Sequence, residues 1–324
     1  MSGAPMLLSV AAPRGGAAGL GAARRPADAL VESFDAWTLG ELDAVESALD
    51  AHVAVDVPAG LGEAMRYAVL GGGKRLRPLL VLAAADAVQG AREAAVRAAC
   101  AVELIHAYSL VHDDLPCMDD DVLRRGKPTV HVRFGVAQAM LAGDAMQALA
   151  FEVLTPTGGS VAPALQARLC ALLARAAGAG GMAGGQAIDL ASVGRPLGEV
   201  ALSDMHRRKT GALLQASVLM GAACGATSAV QWQALADYGA AIGLAFQVVD
   251  DILDATQASA TLGKTAGKDQ EANKPTYVSV LGIDAAQAHA RALRDTAHAA
   301  LERSTLAGVE RLRTLADRAV DRHS

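Results

Sequence analysis

Apolar positions recur along most of this chain at helical spacing. From Phe34 onward, Trp37, Leu39, Leu42, Val45 and Leu49 alternate with acids as on an amphipathic helix. A second helix reads over 61–70 and stops at Gly71-Gly72-Gly73, after which Lys74-Arg75-Leu76-Arg77-Pro78 opens a third. Residues 101–111 are apolar almost throughout, the mark of a buried helix, and 240–249 repeat the pattern. Residues 137–154 form a further helix containing Gly143-Asp144, and 155–160 a turn. The glycine-rich 178–185 stretch reads as a loop or as a close helix contact.

Composition turns this pattern into an all-α expectation. The 324 residues are 52% hydrophobic and only 3% aromatic, with Ala and Leu dominant, so helix formers far outnumber strand formers. Residues 1–32 are rich in Ala, Gly and Arg and read as a flexible N-terminal extension ahead of one all-α domain over 33–324. A targeting peptide is the other reading of that extension, but Met6-Leu7-Leu8-Ser9-Val10-Ala11-Ala12 has no base before it and is short for a secretory core. No run of 18 apolar residues is free of charge, so no membrane span is expected. The net charge of −5 and the lack of a basic patch interleaved with aromatics argue against a nucleic-acid partner. Cys100, Cys117, Cys170 and Cys224 lack paired spacing, as expected in a reducing, cytoplasmic setting.

Both buried helices run into carboxylates. Asp113, Asp114, Asp119, Asp120 and Asp121 follow the first. Negative charge at a helix C-terminus opposes the helix dipole and repels itself, so a cation is expected there. Pro116 cannot donate to the His112 carbonyl and disfavours helical angles at Leu115, which should let Asp119 curl back toward Asp113. Asp250, Asp251 and Asp254 end the second helix at i, i+1 and i+4, a spacing expected to face all three one way. Hard oxygen ligands with room for water and phosphate suit Mg²⁺. Bases follow each cluster: Arg124, Arg125 and Lys127 after the first, Lys264, Lys268 and Lys274 after the second. Together they read as two halves of a site for a metal-held polyanion, the bland alternative being two solvated acidic surfaces. The three glycines before Lys74 and Arg77 would let backbone approach an anion, or simply cap a helix ahead of solvated bases.

The ordered motifs resemble those of the trans-type isoprenyl diphosphate synthases, and most closely the bacterial farnesyl diphosphate synthases. The resemblance rests on Gly73-Lys74-Arg75-Leu76-Arg77-Pro78, Glu103-Leu104-Ile105-His106, the Asp-Asp-x₄-Asp form at 113–119, and Leu123-Arg124-Arg125-Gly126-Lys127-Pro128-Thr129. It continues through Gly184-Gly185-Gln186, Asp189, Lys209-Thr210-Gly211, Phe246-Gln247, Asp250-Asp251-Ile252-Leu253-Asp254, Gly263-Lys264 and Asn273-Lys274-Pro275-Thr276-Tyr277.

That resemblance implies a single helical bundle with a central apolar cavity, forming a homodimer and using Mg²⁺, three ions with substrate bound. It implies condensation of dimethylallyl or geranyl diphosphate with isopentenyl diphosphate to farnesyl diphosphate. Asp113, Asp114, Asp119, Asp250, Asp251 and Asp254 would be the metal ligands, Asp250 before Asp254 in its cluster. Arg124, Lys209 and Lys264 would meet the allylic diphosphate, with Lys274 also on the substrate side, while Thr210 and Gln247 flank the ionising carbon. Lys74, Arg77, His106 and Arg125 would hold isopentenyl diphosphate. Tyr108 and Ser109, five and four residues before the first aspartate, would set chain length, an aromatic at the former implying the farnesyl type. Three dull readings remain beside these: His106 as a core histidine, Thr210 bonding backbone, and Gln186 with Asp189 as an inter-helix hydrogen bond. A geranylgeranyl or geranyl diphosphate synthase is the near alternative; a terpene cyclase and a non-catalytic synthase subunit are more distant ones.

Overall fold

The computed structural model describes residues 26–195, 197–256 and 275–322, with side chains from residue 34 onward. The chain runs through α1 (Pro26–His52), α2 (Leu61–Val69), α3 (Leu76–Ala87) and α4 (Arg92–Asp113) to a two-stranded hairpin, β1 (Leu123–Arg124) with β2 (Lys127–Pro128). Then follow α5 (Val130–Phe134), α6 (Val136–Leu154), α7 (Pro163–Ala177), α8 (Met182–Ala191) and α9 (Glu199–His206). A π-helical turn, Arg207–Gly211, leads into α10 (Ala212–Ala223) and α11 (Ala229–Thr256). After the residues left undescribed come α12 (Tyr277–Leu281), α13 (Ile283–Ser304) and α14 (Glu310–Val320).

The all-α expectation holds, with the short hairpin as its one strand pair among the described residues. Among the described residues the backbone is already helical from Pro26, inside the proposed extension. The rest of the proposed extension lies outside the described residues.

The sequence explains why α4 is central. Ala94 to Ile105 bury nearly every side, and a helix apolar all round has nowhere stable but the interior. It packs against α6, α3 and α10. By length and composition α4 passes for a membrane-crossing helix, but 67% of its most apolar window is buried inside the protein. The second apolar helix, α11, packs along α13 and α10. The acidic ends of α4 and α11 are thus carried by two core helices, each fixed by burial rather than by surface contacts.

A core poor in aromatics is built from Ala, Leu and Val, and small side chains bring helix backbones close together. Gly221 on α10 is the tightest such contact with α3: a Cβ there would lie 2.1 Å from the Val81 carbonyl oxygen. Gly221→Ala gains about 1 kcal/mol of helix propensity, but overpacking a rigid core typically costs 1–3 kcal/mol. The carbonyl cannot rotate away as a side chain would. Chemical denaturation of Gly221→Ala should therefore show a lowered unfolding free energy, by up to about 2 kcal/mol; a stability above the parent's would contradict this packing.

Candidate active site

At the end of α4 the chain folds back as Pro116 requires. The Leu115 N–H reaches the His112 carbonyl at 3.1 Å, and the Asp119 N–H donates to the Asp113 carbonyl at 2.8 Å. The Asp121 N–H similarly donates to the Asp114 carbonyl at 3.2 Å. Burial, with Asp119 and Asp114 nearby, pushes the Asp113 carboxyl up to about 6, while Lys209 and Arg124 pull the other way. Asp114 is 2% exposed and is gripped by Arg124, whose Nε lies 2.9 Å from both carboxylate oxygens. Burial raises this carboxyl too, against the pull of Arg124.

The hairpin delivers that arginine. Its two-residue turn, Arg125-Gly126, has φ of 53° and 73°, the left-handed pair that tight hairpins need. Arg124 on β1 meets Asp114, while Arg125 donates to the Gly72 carbonyl. A Cβ on Gly73 would sit 2.8 Å from the Arg125 guanidinium, so glycine is what lets the two loops touch. Tyr67 ties the hairpin to α2 by donating to the Pro128 carbonyl at 2.7 Å. Beneath the hairpin, Tyr67, Ala107, Leu110, Asp114, Arg124 and Arg125 help to line a cavity of about 50 Å³.

A ring of cations surrounds His106. Arg75 is buried against Glu103 at 2.6 Å and Glu46 at 2.7 Å, which anchors the loop that carries Lys74 and Arg77. Burial pushes Arg77 down to about 10, with Arg125 adding to it and Glu103 and Asp250 opposing. Burial followed by Arg77, Arg125, Arg124 and Arg75 drives His106 well below its ordinary value, so it is a neutral imidazole at pH 7. Burial and Arg322 lower Lys74, and Asp250 opposes them. Arg75, Asp120 and Arg125 adopt positive φ without being glycine, as do Ala59, Gln89 and Thr305 elsewhere in the fold.

The π turn between α9 and α10 presents Lys209 and Thr210 to the same region. Such turns shift side-chain register and recur at functional sites. Lys209 Nζ donates to Asp189 at 2.5 Å, and the same ammonium acts on Asp113. Asp189 is 5% exposed, and this bond links α8 to the π turn. The Gln186 side chain is buried with no hydrogen-bond partner among the described residues. Thr210 donates to Gln247 Oε1 at 2.9 Å, and Gln247 Nε2 donates to Asp251 Oδ1 at 2.9 Å.

The second acidic group departs from expectation at one position. Asp250 has a side chain 41% exposed, with Arg322 Nη2 at 3.4 Å, and Asp254 is half-buried. Asp251 is 4% exposed and accepts from the backbone N–H of Tyr277 at 2.8 Å. The three carboxylates do not face one way: a 100° step from Asp250 turns Asp251 into the packing against α12. In this structure Asp251 is thus a buried hydrogen-bond acceptor. Lys264 and Lys274 lie outside the described residues. Arg322 was missed, because a single base near the chain end carries no motif; it donates to the Phe246 carbonyl at 2.8 Å and lies over that ring.

Tyr108 is half-buried on α4, edge-on to His112, with Gln147 donating to its hydroxyl at 3.4 Å. Ser109 donates to the His106 carbonyl at 2.9 Å within the helix. Among the described residues no three His, Cys, Asp or Glu side chains converge as a complete metal cage. That donor set still fits Mg²⁺, which takes one or two carboxylates and fills its shell with water and phosphate oxygens.

A family model described as polyprenyl synthetase matches residues 58–309. A chloroplastic geranylgeranyl pyrophosphate synthase of Arabidopsis thaliana is 45% identical over 88% of this chain and 82% of its own length. An FPP/GFPP synthase structure from Zymomonas mobilis superposes with a TM-score of 0.78 at 40% identity, covering 91% of this chain and 99% of its own. A geranyltransferase from Helicobacter pylori, complexed with magnesium and isoprenyl diphosphate, gives 0.78 at 33% identity over 87% of this chain and 96% of its own. With motifs, fold and relatives in accord, the chain belongs to the polyprenyl synthetase family of prenyltransferases.

Proposed function

We propose that this prenyltransferase extends an allylic diphosphate with isopentenyl diphosphate, releasing diphosphate, and that geranylgeranyl diphosphate is its product. The observation that carries the reaction is that both acidic helix ends face cations, Lys209 acting on Asp113 and Arg322 lying 3.4 Å from Asp250, with a cationic ring around His106. The geranylgeranyl reading is supported by curated relatives named as such at 45–47% identity. Farnesyl diphosphate is the second reading, and the family resemblance favours it through one residue: the aromatic Tyr108, five positions before Asp113.

In this reading Asp113, Asp114, Asp119, Asp250 and Asp254 hold Mg²⁺, with Lys264 and Lys274 contributing from the substrate side. The metal, when bound, neutralises charge on the leaving diphosphate. Lys209, fixed by Asp189, and Arg124, once drawn from Asp114, donate to the same diphosphate. Thr210 and Gln247 turn oxygen dipoles toward the carbon that becomes cationic as its C–O bond breaks. Lys74, Arg77, Arg125 and neutral His106 fix the isopentenyl diphosphate, so that its alkene forms the new C–C bond. The proton lost from that unit passes to the departing diphosphate, and no protein base is required. The active unit is a homodimer in this proposal.

Isotope-labelled isopentenyl diphosphate tests the reaction with purified protein, Mg²⁺ and each allylic primer: label should enter a C20 chain, and its absence from any longer prenyl chain would sink the proposal. Asp250→Ala should lower turnover roughly a thousandfold or more; a near-normal rate would remove this cluster from the mechanism. Since Asp113 is raised to about 6, its proton competes with metal below that pH and not above it. Apparent Mg²⁺ affinity should be flat above about pH 7 and weaken as pH falls through 6 toward 5; a flat titration across that window would contradict the Asp113 assignment. Tyr108→Ala should lengthen the product, and unchanged chain length would remove Tyr108 from its control.

A further inference from the structure

Gln247 and Asp251 are four residues apart on α11 and so stack on one helix face. Their contacts have a fixed polarity. A carboxylate only accepts hydrogen bonds, whereas an amide side chain donates from nitrogen and accepts at oxygen. Asp251 Oδ2 accepts from the Tyr277 backbone N–H at 2.8 Å, a donor set by the start of α12. Asp251 Oδ1 accepts from Gln247 Nε2 at 2.9 Å. The Gln247 NH2 is thereby turned inward, and its Oε1 is left to accept from the Thr210 hydroxyl at 2.9 Å. Asp251 is 4% exposed, while the side chain of its neighbour Asp250 is 41% exposed. The buried ring of His206 has its Nε2 3.8 Å from Asp251 Oδ2 and is stacked on the Tyr277 ring.

We propose that Asp251 is a positioning residue rather than a metal ligand: through its bond to Gln247 it sets which end of that amide, oxygen or NH2, is presented to Thr210 and the reacting carbon. A flipped amide would aim N–H dipoles at a developing cation, the wrong sign for stabilisation. The inference rests on the reading above that Thr210 and Gln247 flank the ionising carbon.

Asp251→Asn makes the polarity testable without changing shape. The Tyr277 N–H must still find an acceptor, so the new amide keeps its oxygen there and turns its NH2 to Gln247. Gln247 must then accept, and its own NH2 swings toward Thr210. Adding Gln247→Glu restores an acceptor oxygen on that side and returns the removed negative charge. Turnover, KM for both diphosphates, and Mg²⁺ binding by calorimetry with an unreactive allylic thiolodiphosphate should be measured for both variants and for Asp250→Asn. Asp251→Asn should lower kcat about a hundredfold, the scale of losing one preorganised dipole, with KM and calorimetric Mg²⁺ affinity within about threefold of the parent. The double variant should recover kcat about tenfold or more over Asp251→Asn. Asp250→Asn should instead weaken Mg²⁺ binding more than about tenfold, because it removes a ligand's negative charge. Mg²⁺ affinity falling equally in Asp251→Asn and Asp250→Asn, or a double variant no better than the single, would overturn the assignment. A parent enzyme that elongates nothing would instead overturn the functional reading, while the calorimetry would still report on Asp251.

Discussion

Burial of carboxylate charge at a helix tip is the constraint on which the rest of the structure depends. Asp113 is held in a half-buried position beside Asp114 and Asp119, at the end of a helix whose dipole already opposes it. A carboxyl moved from 3.8 to about 6 disfavours its ionised form by about 3 kcal/mol. Tertiary packing tolerates that cost because α4 is fixed along its whole length by the core. The strain is local, and a cation brought to this tip relieves it.

The cations nearby are arranged as if for an anion larger than any carboxylate. Arg124 is spread over both oxygens of Asp114, Lys209 leans on Asp189, and Arg322 reaches Asp250. Around His106 the balance reverses, with four arginines acting on one neutral imidazole. Acidic tips and a basic ring side by side form a site that a metal and a polyanion together complete better than either alone. Glu103 and Glu46 hold Arg75, which anchors the glycine loop, and Asp250 already acts on both Lys74 and Arg77 beside it.

Much of this could be read from residue order because its causes are local. The buried character of α4, the break at Pro116 and the return of Asp119 toward Asp113 all follow from neighbours within a few positions, and the structure shows each. What was not legible depends on partners far along the chain. The wheel put Asp251 with Asp250, but the Tyr277 N–H, supplied 26 residues later, draws it into the core. Arg322 is near Asp250 only because α14 packs on α11 and α3. The π turn at Arg207–Gly211 and the hairpin carrying Arg124 are short departures from regular structure that propensity does not announce. In the hairpin's case the one local hint was the base-glycine pair at its turn.

The central claim is that the ends of α4 and α11 act on one metal-bound diphosphate as a unit. Calorimetric Mg²⁺ binding with an unreactive allylic diphosphate analogue tests it most directly, on Asp113→Ala, Asp250→Ala and the double variant. Residues that share a site are non-additive, so the double variant should bind scarcely more weakly than the weaker single one. Losses that simply add would mean two independent acidic surfaces, and would contradict the account.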